Sequence, residues 1–331
     1  MFGDIPQVAT KWTALDLRQT FLVRWNIGRM RYVVDPGLYA VGQPDQESEV
    51  FVSANFKLSF DHLRRALDGM NAWILVLDTK GINVWCAAGK GTFGTEELLK
   101  RIKIHALLNI LDHRRIIVPQ LGAVGVSAHE VKKRSGFTVI YGPVRADDIA
   151  AFLKAGNRAT PEMREVRFPL QERLKLIPIE LSYGKYYLIL VPLVFLILSG
   201  IYTGGYDFER VYHNGMRAVL NLFAAYFAGT ILTPILLPLI PLRRFSLKGL
   251  VLGWGLSTLF LFLGLLGSHP VEMVAWYLMM GSVAAFLAMN WTGSSTFTSL
   301  SGVQKEMRLA LPMQMIAAAI GFIMWVVSRF L

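Results

Sequence analysis

The chain has one cysteine, Cys86, in the stretch GINVWCAAGK at residues 81–90. A thiolate can act as a nucleophile, a redox group or a soft metal ligand. A single cysteine excludes an internal disulfide and an iron–sulfur cluster held by this chain alone. Free cysteines are mostly buried and behave as small hydrophobic residues. A chemical role for Cys86 therefore depends on where the fold places it.

A glycine-rich stretch follows, GKGTFG at residues 89–94, and it satisfies the pattern G-x-G-x-x-G. A dinucleotide fingerprint begins at the end of the first strand of a βαβ unit, whereas this pattern begins well after the predicted strand that ends at Asp78. Asp112 stands roughly where a ribose-binding acid is expected, but no predicted strand ends there. A P-loop is excluded because Gly91 follows Lys90. Binding of a nicotinamide or flavin stays open as an alternative.

Other classes of function have less support. The six histidines form no pair at the spacing of zinc ligands, and no nucleophile elbow is present. The net charge is +11, yet no basic run with interleaved aromatic residues occurs, so nucleic acid is not predicted as a partner. The apolar spans described below carry almost no ionisable residues away from their ends, which argues against an ion-coupled transporter.

The elements that must position Cys86 alternate between buried strands and amphipathic helices. Strands are predicted at residues 50–54, 73–78, 115–119 and 137–141, and helices at 58–67, 95–106 and 147–154, with Thr95 as an N-cap. This alternation predicts a doubly wound α/β domain of the Rossmann or flavodoxin-like kind, with a mostly parallel sheet.

Ligands of such sheets bind beyond the carboxyl ends of the strands. Four segments meet that description, at residues 53–55, 78–86, 119–125 and 141–143. Cys86 lies in the second of these segments. This placement favours a role in ligand binding over simple burial.

The second half of the chain has a different composition. Residues 1–185 hold 26 Lys and Arg against 19 Asp and Glu, whereas residues 186–331 hold only 8 against 4. Five apolar spans are predicted at 186–202, 215–241, 247–267, 271–290 and 310–328, each near the ~20 residues that cross a bilayer. The predicted domains are an N-terminal arm (1–47), a ligand-binding domain (48–156), a linker (157–185) and a transmembrane domain of five helices (186–331).

Loop charges predict the orientation in the membrane. Arg243, Arg244 and Lys248 lie between spans two and three, and Lys305 and Arg308 lie between spans four and five. Basic loops stay inside, and no apolar signal segment is found at the N-terminus. The first domain is therefore predicted in the cytoplasm and the C-terminus outside. The Ser-, Thr- and Gly-rich loop at 290–307 is either a flexible tether or a loop that contacts the first domain.

Several motifs resemble a known family. VSANF (52–56), LDTKG (77–81), AAGK (87–90), IVP (117–119) and YGP (141–143) are similar to the corrinoid-binding domain of the corrinoid iron–sulfur protein large subunit, from about residue 48 to 156. The variant NVWCAAGK at 83–90, followed by five spans, resembles the membrane corrinoid proteins of bacterial mercury methylation.

This resemblance implies a cobalamin-type corrinoid lying across the strand ends, over a short cap helix at residues 83–90. Cys86 would be the lower axial ligand of cobalt and the catalytic residue. The implied activity is a corrinoid-dependent methyltransferase that moves a methyl group from Co(III)–CH3 to inorganic Hg(II). The implied cofactor contacts are Ser53, Ala54, Asn55, Asn83, Val84, Trp85, Cys86, Ala87, Pro119, Gln120, Leu121, Gly122, Ala123, Val124, Tyr141, Gly142 and Pro143.

The resemblance also implies partners and a location. With Cys86 committed to cobalt, electrons and Hg(II) would come from a small ferredoxin-like protein with [4Fe–4S] clusters. The methyl group would come from a donor protein or a methyl-tetrahydrofolate pathway, and the protein would lie in the bacterial inner membrane. A corrinoid methyl carrier of acetyl-CoA pathway metabolism is the alternative within the same family, and a membrane-anchored dinucleotide-binding oxidoreductase is the alternative outside it.

Overall fold

The computed structural model describes residues 5–294 and 300–331. The chain forms two compact units, Met1–Val166 and Arg167–Leu331. The boundary between them falls inside the segment predicted as a linker at 157–185.

The first unit alternates strands and helices from residue 14 onward. Its helices are α1 (Ala14–Arg24), α2 (Lys57–Ala66), α3 (Val84–Lys90), α4 (Thr95–Ile104), α5 (Leu107–Ile110), α6 (Ala128–Ser135), α7 (Ile149–Lys154) and α8 (Pro161–Arg164). Its strands are β1 (Leu38–Val41), β2 (Val50–Ala54), β3 (Ala72–Leu77), β4 (Arg115–Val118) and β5 (Thr138–Tyr141). The four predicted strands are confirmed within about one residue at their ends, as strand boundaries allow.

The five strands form one sheet in the order β1-β3-β2-β4-β5. Strands β3, β2, β4 and β5 run parallel, whereas β1 pairs antiparallel with β3, with Leu38 opposite Leu75. The sheet is therefore mixed. Four of its five strands are parallel, as predicted, and the edge strand β1 is antiparallel. Strand β1 was predicted as part of an arm because it has only four residues in a turn-rich segment.

Both faces of the sheet are covered by helices. Along β3, Leu75 and Leu77 pack with residues of α3, α4 and α6 on one face, whereas Ile74 and Val76 pack with α2 and α7 on the other. Strands buried on both faces need a continuous apolar sequence, which is why this strand is recognisable from sequence alone. Helix α4 begins one residue earlier than predicted, since Gly94 and not Thr95 is the N-cap and Thr95 is the first helical residue.

The second unit consists mainly of apolar helices. They are α9 (Leu170–Leu174), α10 (Ile177–Tyr183), α11 (Tyr187–Leu198), α12 (Phe208–Arg210), α13 (Met216–Phe227), α14 (Thr233–Leu236), α15 (Phe245–Phe262), α16 (Pro270–Met289) and α17 (Leu300–Val327). A two-stranded hairpin, β6 (Ile201–Tyr202) with β7 (Gly205–Tyr206), follows α11.

Four helical segments of the described chain are long and apolar enough to cross a membrane. They are Phe208–Leu236, Phe245–Phe262, Pro270–Thr292 and Gly302–Val327. The predicted first span is shorter than expected, because α11 has only 12 residues. The segments Leu170–Tyr183 and Tyr187–Leu198 make a pair bent by 55°, which would be a fifth span if both halves cross together.

The second span ends irregularly, as its prolines predicted. Helix α14 stops at Leu236, and prolines leave helix carbonyls without their usual N–H partners. The guanidinium of Arg173 donates to the carbonyls of Pro234 and Ile235, at 2.5 and 2.9 Å. The ammonium of Lys248 donates to the carbonyls of Leu237 and Ile240. Two buried cations thus donate hydrogen bonds to the backbone carbonyls at the end of this helix.

The Ser-, Thr- and Gly-rich loop is shorter than predicted. Helix α17 begins at Leu300, ten residues before the predicted start of the fifth span, so the last part of the predicted loop is helical. Residues 295–299 lie outside the described part of the chain, and the two predicted roles of this loop stay predictions.

Candidate functional site

Cys86 lies in the first turn of α3, a short helix with a defined start and end. Asn83 is the N-cap, and its side-chain oxygen accepts a hydrogen bond of 2.9 Å from the Cys86 backbone N–H. At the other end Gly91 has a φ of 81°, a left-handed conformation that favours glycine. The predicted cap helix at residues 83–90 is therefore present, and Asn83 fixes the backbone of the cysteine.

The two faces of α3 differ in exposure. Val84, Ala87 and Ala88 are buried in the core beneath the helix, whereas Trp85 and Cys86 are exposed. Gly89, one turn after Cys86, is also exposed, and a Cβ built on it would meet no heavy atom within 4 Å. The sulfur thus faces outward beside an open surface. This arrangement excludes the interpretation of Cys86 as core filling.

The connection from β3 to α3 is fixed by Asn55 at the end of β2. The Asn55 side-chain oxygen accepts hydrogen bonds from the backbone N–H of Thr79 (3.1 Å), the Thr79 hydroxyl (2.8 Å) and the backbone N–H of Gly81 (3.0 Å). Asn55 is buried. A residue predicted as a cofactor contact therefore also positions the turn that leads into the cap helix.

Asp78 stands at the start of this same turn. The Lys80 ammonium lies 2.5 Å from the Asp78 carboxylate, and this hydrogen bond lowers the pKa of Asp78 despite partial burial, which acts in the opposite direction. The side chain of Glu97 accepts a hydrogen bond from the Asp78 backbone N–H at 3.0 Å. The Glu97 side chain on α4 thus holds the start of the turn that leads from β3 to α3.

The loop after β4 supports the other end of the cap helix. A Cβ on Gly125 would overlap the Phe93 carbonyl and come within 3.1 Å of the Ala88 Cα, and a Cβ on Gly122 would overlap the Phe93 ring. The loop therefore approaches α3 at a distance that only glycine permits. The Tyr141 hydroxyl, at the end of β5, donates to the Val126 carbonyl at 2.6 Å and holds the loop in place.

The structure thus brings the four predicted segments to one edge of the sheet. Among the residues predicted as cofactor contacts, the buried ones are Ser53, Ala54, Asn55, Val84, Ala87, Gly122, Gly142 and Pro143. The partly or fully exposed residues are Asn83, Trp85, Cys86, Pro119, Gln120, Leu121, Ala123, Val124 and Tyr141. Val124 is 86% exposed, the most exposed of the large hydrophobic side chains described. The cofactor contacts of all these residues stay predictions.

One neighbouring segment was not predicted from the sequence. Val34 donates its backbone N–H to the Asn55 carbonyl at 2.9 Å, and a Cβ on Gly81 would meet the Val33 side chain at 2.9 Å. The exposed Met30 and Val33 therefore border the turn before the cap helix. The sequence gives no periodic signal here, because the chain runs between two turns.

The glycine pattern at residues 89–94 does not have the position that a dinucleotide-binding site requires, directly after a strand. Gly91 ends α3 and Gly94 is the N-cap of α4, so the glycine pattern connects two helices and does not follow a strand. Among residues 5–294 and 300–331, no group of three or more His, Cys, Asp and Glu side chains is placed to hold a metal ion. The soft donor that the described site offers is the Cys86 sulfur, which suits a metal bound by one axial protein ligand.

The first part of the chain is similar to known proteins. Residues 14–153 match the family described as CO dehydrogenase/acetyl-CoA synthase delta subunit. The chain is 32% identical over 124 residues to the corrinoid/iron-sulfur protein large subunit of Moorella thermoacetica, covering 37% of this chain and 27% of that protein. It is 30% identical over 128 residues to the acetyl-CoA decarbonylase/synthase complex subunit gamma of Methanocaldococcus jannaschii, covering 38% and 26%.

A third relative, the subunit gamma of Archaeoglobus fulgidus, is 31% identical over 143 residues, which are 41% of this chain and 29% of that protein. The chain thus spans only 26–29% of the length of these three relatives. The family match, residues 14–153, lies within the first unit and includes α3. These similarities support a corrinoid-protein family for the first unit, without specifying the methyl acceptor.

Proposed function

We propose that this protein is a membrane-bound corrinoid methyl carrier that uses Cys86 as the lower axial ligand of cobalt and inorganic Hg(II) as the methyl acceptor. The observation that carries the proposal is the position of Cys86. The only thiol of the chain is exposed on the outer face of a capped helix, at the carboxyl edge of the sheet. A cobalt corrinoid, when bound, supplies a methyl group that can be carried and released.

The residues of the site fit such a group. Gly89 leaves the surface beside the sulfur open, so that a flat macrocycle can approach. Asn83 holds the backbone of Cys86, and the loop at residues 119–124 would contact the ring on the side that Tyr141 secures. Each of these groups binds or orients, and none needs to move a proton.

The thiolate ligand supports Hg(II) as the acceptor. Methylation of Hg(II) requires a methyl group that leaves with electron density, and a strong, soft axial donor favours this. The motif NVWCAAGK supports the same choice through its resemblance to mercury-methylating proteins. With Cys86 on cobalt, the chain has no second thiol for Hg(II), so a ferredoxin-like partner with further cysteines would deliver the metal ion and the low-potential electrons.

A second candidate is a methyl carrier of the acetyl-CoA pathway. The names of the relatives favour it, because they are subunits of acetyl-CoA decarbonylase/synthase complexes or a corrinoid/iron-sulfur protein. On this proposal the protein would also have protein partners. The apolar helices of the second unit favour a membrane location for either candidate, with the first unit in the cytoplasm of a bacterium.

Spectroscopy of the purified protein tests the shared part of both candidates. We expect a coloured protein whose cobalt absorption and paramagnetic resonance spectra change in Cys86→Ala. Gly89→Leu should reduce corrinoid binding by obstructing the surface beside the sulfur, whereas Lys100→Leu at an exposed position of α4 should not. A colourless protein that takes up no corrinoid would contradict both candidates.

The acceptor is tested by methyl transfer with reduced ferredoxin-type protein and Hg(II). We expect methylmercury from the wild-type protein and none from Cys86→Ala. A Cys86→Ala protein that binds corrinoid and still passes methyl groups to an acetyl-CoA synthase would favour the second candidate instead.

A further inference from the structure

Helix α1 packs on the first unit through a face that combines the polar Asp16 and Thr20 with the apolar Val23. Its buried residues are Asp16, Thr20 and Val23, which share one face of the helix. On the exposed side of the helix lie Leu17, which is 58% exposed, and Phe21, which is 60% exposed. A surface helix in water normally has the reverse arrangement.

The inward face is held by charge. The Asp16 carboxylate lies 3.0 Å from the Lys57 ammonium and 3.0 Å from the Arg64 guanidinium, both on α2. Thr13 and Asp16 form a capping box at the start of the helix. The orientation of α1 is therefore fixed, and its apolar side cannot turn inward without breaking these ion pairs.

The apolar side continues beyond the helix. Asn26 has a φ of 61°, and the Ile27 backbone N–H returns to the Leu22 carbonyl at 2.9 Å, which closes a Schellman turn. Ile27 and Met30 follow in exposed positions, with Met30 at 70% exposure. We call the exposed set the α1 apolar face; its members are Leu15, Leu17, Phe21, Trp25, Ile27 and Met30.

The charge around this face is strongly positive. Residues 11–33 contain five cations against the single acid Asp16, which Lys57 and Arg64 already neutralise. The cations are Lys11, Arg18, Arg24, Arg29 and Arg31. Contiguous exposed apolar surface marks an interaction site, and arginines beside exposed Trp and Phe are attracted to anionic lipid headgroups.

We propose that the α1 apolar face binds the surface of an anionic lipid bilayer, with α1 lying in the plane of the interface. The apolar helices of the second unit favour a bilayer as a constant neighbour of the chain. Cation-rich surroundings disfavour a second copy of the same face, because the two would repel. The inference goes beyond the corrinoid function, since α1 would bind lipid whether or not a corrinoid is present.

Spin labels on the full-length protein in lipid nanodiscs test this proposal. In a Cys86→Ser background, Phe21→Cys and Met30→Cys each receive a nitroxide, and Lys133→Cys, exposed on α6, is the matched control. Discs contain phosphatidylcholine alone or mixed with phosphatidylglycerol. We expect the labels at 21 and 30 to gain accessibility to oxygen and lose accessibility to a water-soluble nickel chelate, more so with phosphatidylglycerol. The label at 133 should stay accessible to the chelate in both discs.

Labels at 21 and 30 that the nickel chelate reaches freely in both discs would overturn the proposal. So would labels shielded from both relaxing agents, because that result indicates a protein cover. Equal immersion in both kinds of disc would overturn the role of the arginines and of anionic lipid. Incorporation into the discs depends on the apolar helices, and corrinoid binding is measured on the unlabelled wild-type protein, which keeps Cys86, so failure of either part of the proposed function is observed separately.

Discussion

The two units of this chain differ in how many large apolar side chains they leave exposed. In the first unit large aliphatic side chains are buried, such as Leu75 and Ile74 on β3. In the second unit many large apolar side chains are exposed, such as Phe262 on α15 and Ile316 on α17. A domain in water buries its large apolar side chains in a core. Helices in lipid lack this driving force and associate through close packing. Helix α1, although part of the first unit, also leaves large apolar side chains such as Phe21 exposed.

The interface of α15 and α16 shows how the second unit is packed. A Cβ on Gly253 would lie 2.7 Å from the Met280 carbonyl oxygen, and a Cβ on Gly249 would overlap the Ala284 carbonyl. The two backbones therefore approach closely through small residues. Polar groups are also inside, since Arg329 and Glu272 form a buried ion pair at 2.5 Å. Shape and polar pairing add to apolar burial here, since Trp276, Met280 and Trp325 are also buried.

The largest effect on stability is expected at a charged side chain that is buried in the first unit. Asp61 on α2 is fully buried and accepts from the Lys57 ammonium (2.6 Å), the Arg64 guanidinium (2.7 Å) and the Tyr32 hydroxyl (3.0 Å). Asp61→Asn should lower the stability of the first unit by about 3–5 kcal/mol, because the buried cluster loses one of its two carboxylates and Lys57 and Arg64 then share Asp16 alone. Pulse proteolysis in urea on the full-length protein measures this loss. The exposed Asp112→Asn is the control, and an equal response of the two variants would contradict the prediction.

A cavity in the first unit should have the next largest effect. Leu75 is 0% exposed, and Leu75→Ala should cost about 2–5 kcal/mol through lost burial and the remaining cavity. The matched change in the second unit, Leu190→Ala at an exposed position of α11, should change stability by less than about 0.5 kcal/mol. Thermal unfolding of both variants compares them. A similar loss from Leu190→Ala would show that the two units do not differ in the way proposed.

In the second unit the damaging change is a larger side chain. Gly253→Val should destabilise the packing of α15 on α16 by about 1–3 kcal/mol. Gly255→Val, two residues away on the same helix, places its Cβ where no heavy atom lies within 4 Å and controls for the helix propensity of valine. The fraction of protein that stays folded on heating in detergent is the measurement. Equal melting of both variants would speak against close packing at Gly253.

The smallest effect concerns pH and the docking of α1. Burial alone would raise the pKa of Asp16, but hydrogen bonds from the Thr13 backbone, Lys57, the Thr13 hydroxyl and Arg64 together hold it far below its usual value. A carboxyl with a lowered folded-state pKa stabilises the fold above its unfolded pKa of about 3.9 and loses that contribution as the pH falls further. Hydrogen exchange of residues 14–24, corrected for intrinsic rates, should therefore accelerate below about pH 4. In Asp16→Asn, protection should already be reduced at neutral pH and change little on acidification.

Much of the first unit could be predicted from its sequence for a physical reason. Strands β2 and β3 are buried on both faces, so their apolar runs are continuous and their ends are marked by polar residues. Strand β1 was missed because its partner β3 is some thirty residues away and its four residues show no pattern of their own. The bend between α10 and α11 was missed because hydropathy does not report the direction of a helix axis.

The sequence by itself determined that Cys86 is the only thiol, that it follows a buried strand, and that the second half of the chain is apolar. Only the tertiary structure decided that Cys86 faces outward beside Gly89 and that Asn55, Gly125 and Tyr141 hold the surrounding loops. It also decided that α1 turns Asp16 inward and Phe21 outward. The reason is that a residue's type fixes its chemistry, whereas the direction of a side chain depends on contacts with segments far away along the chain.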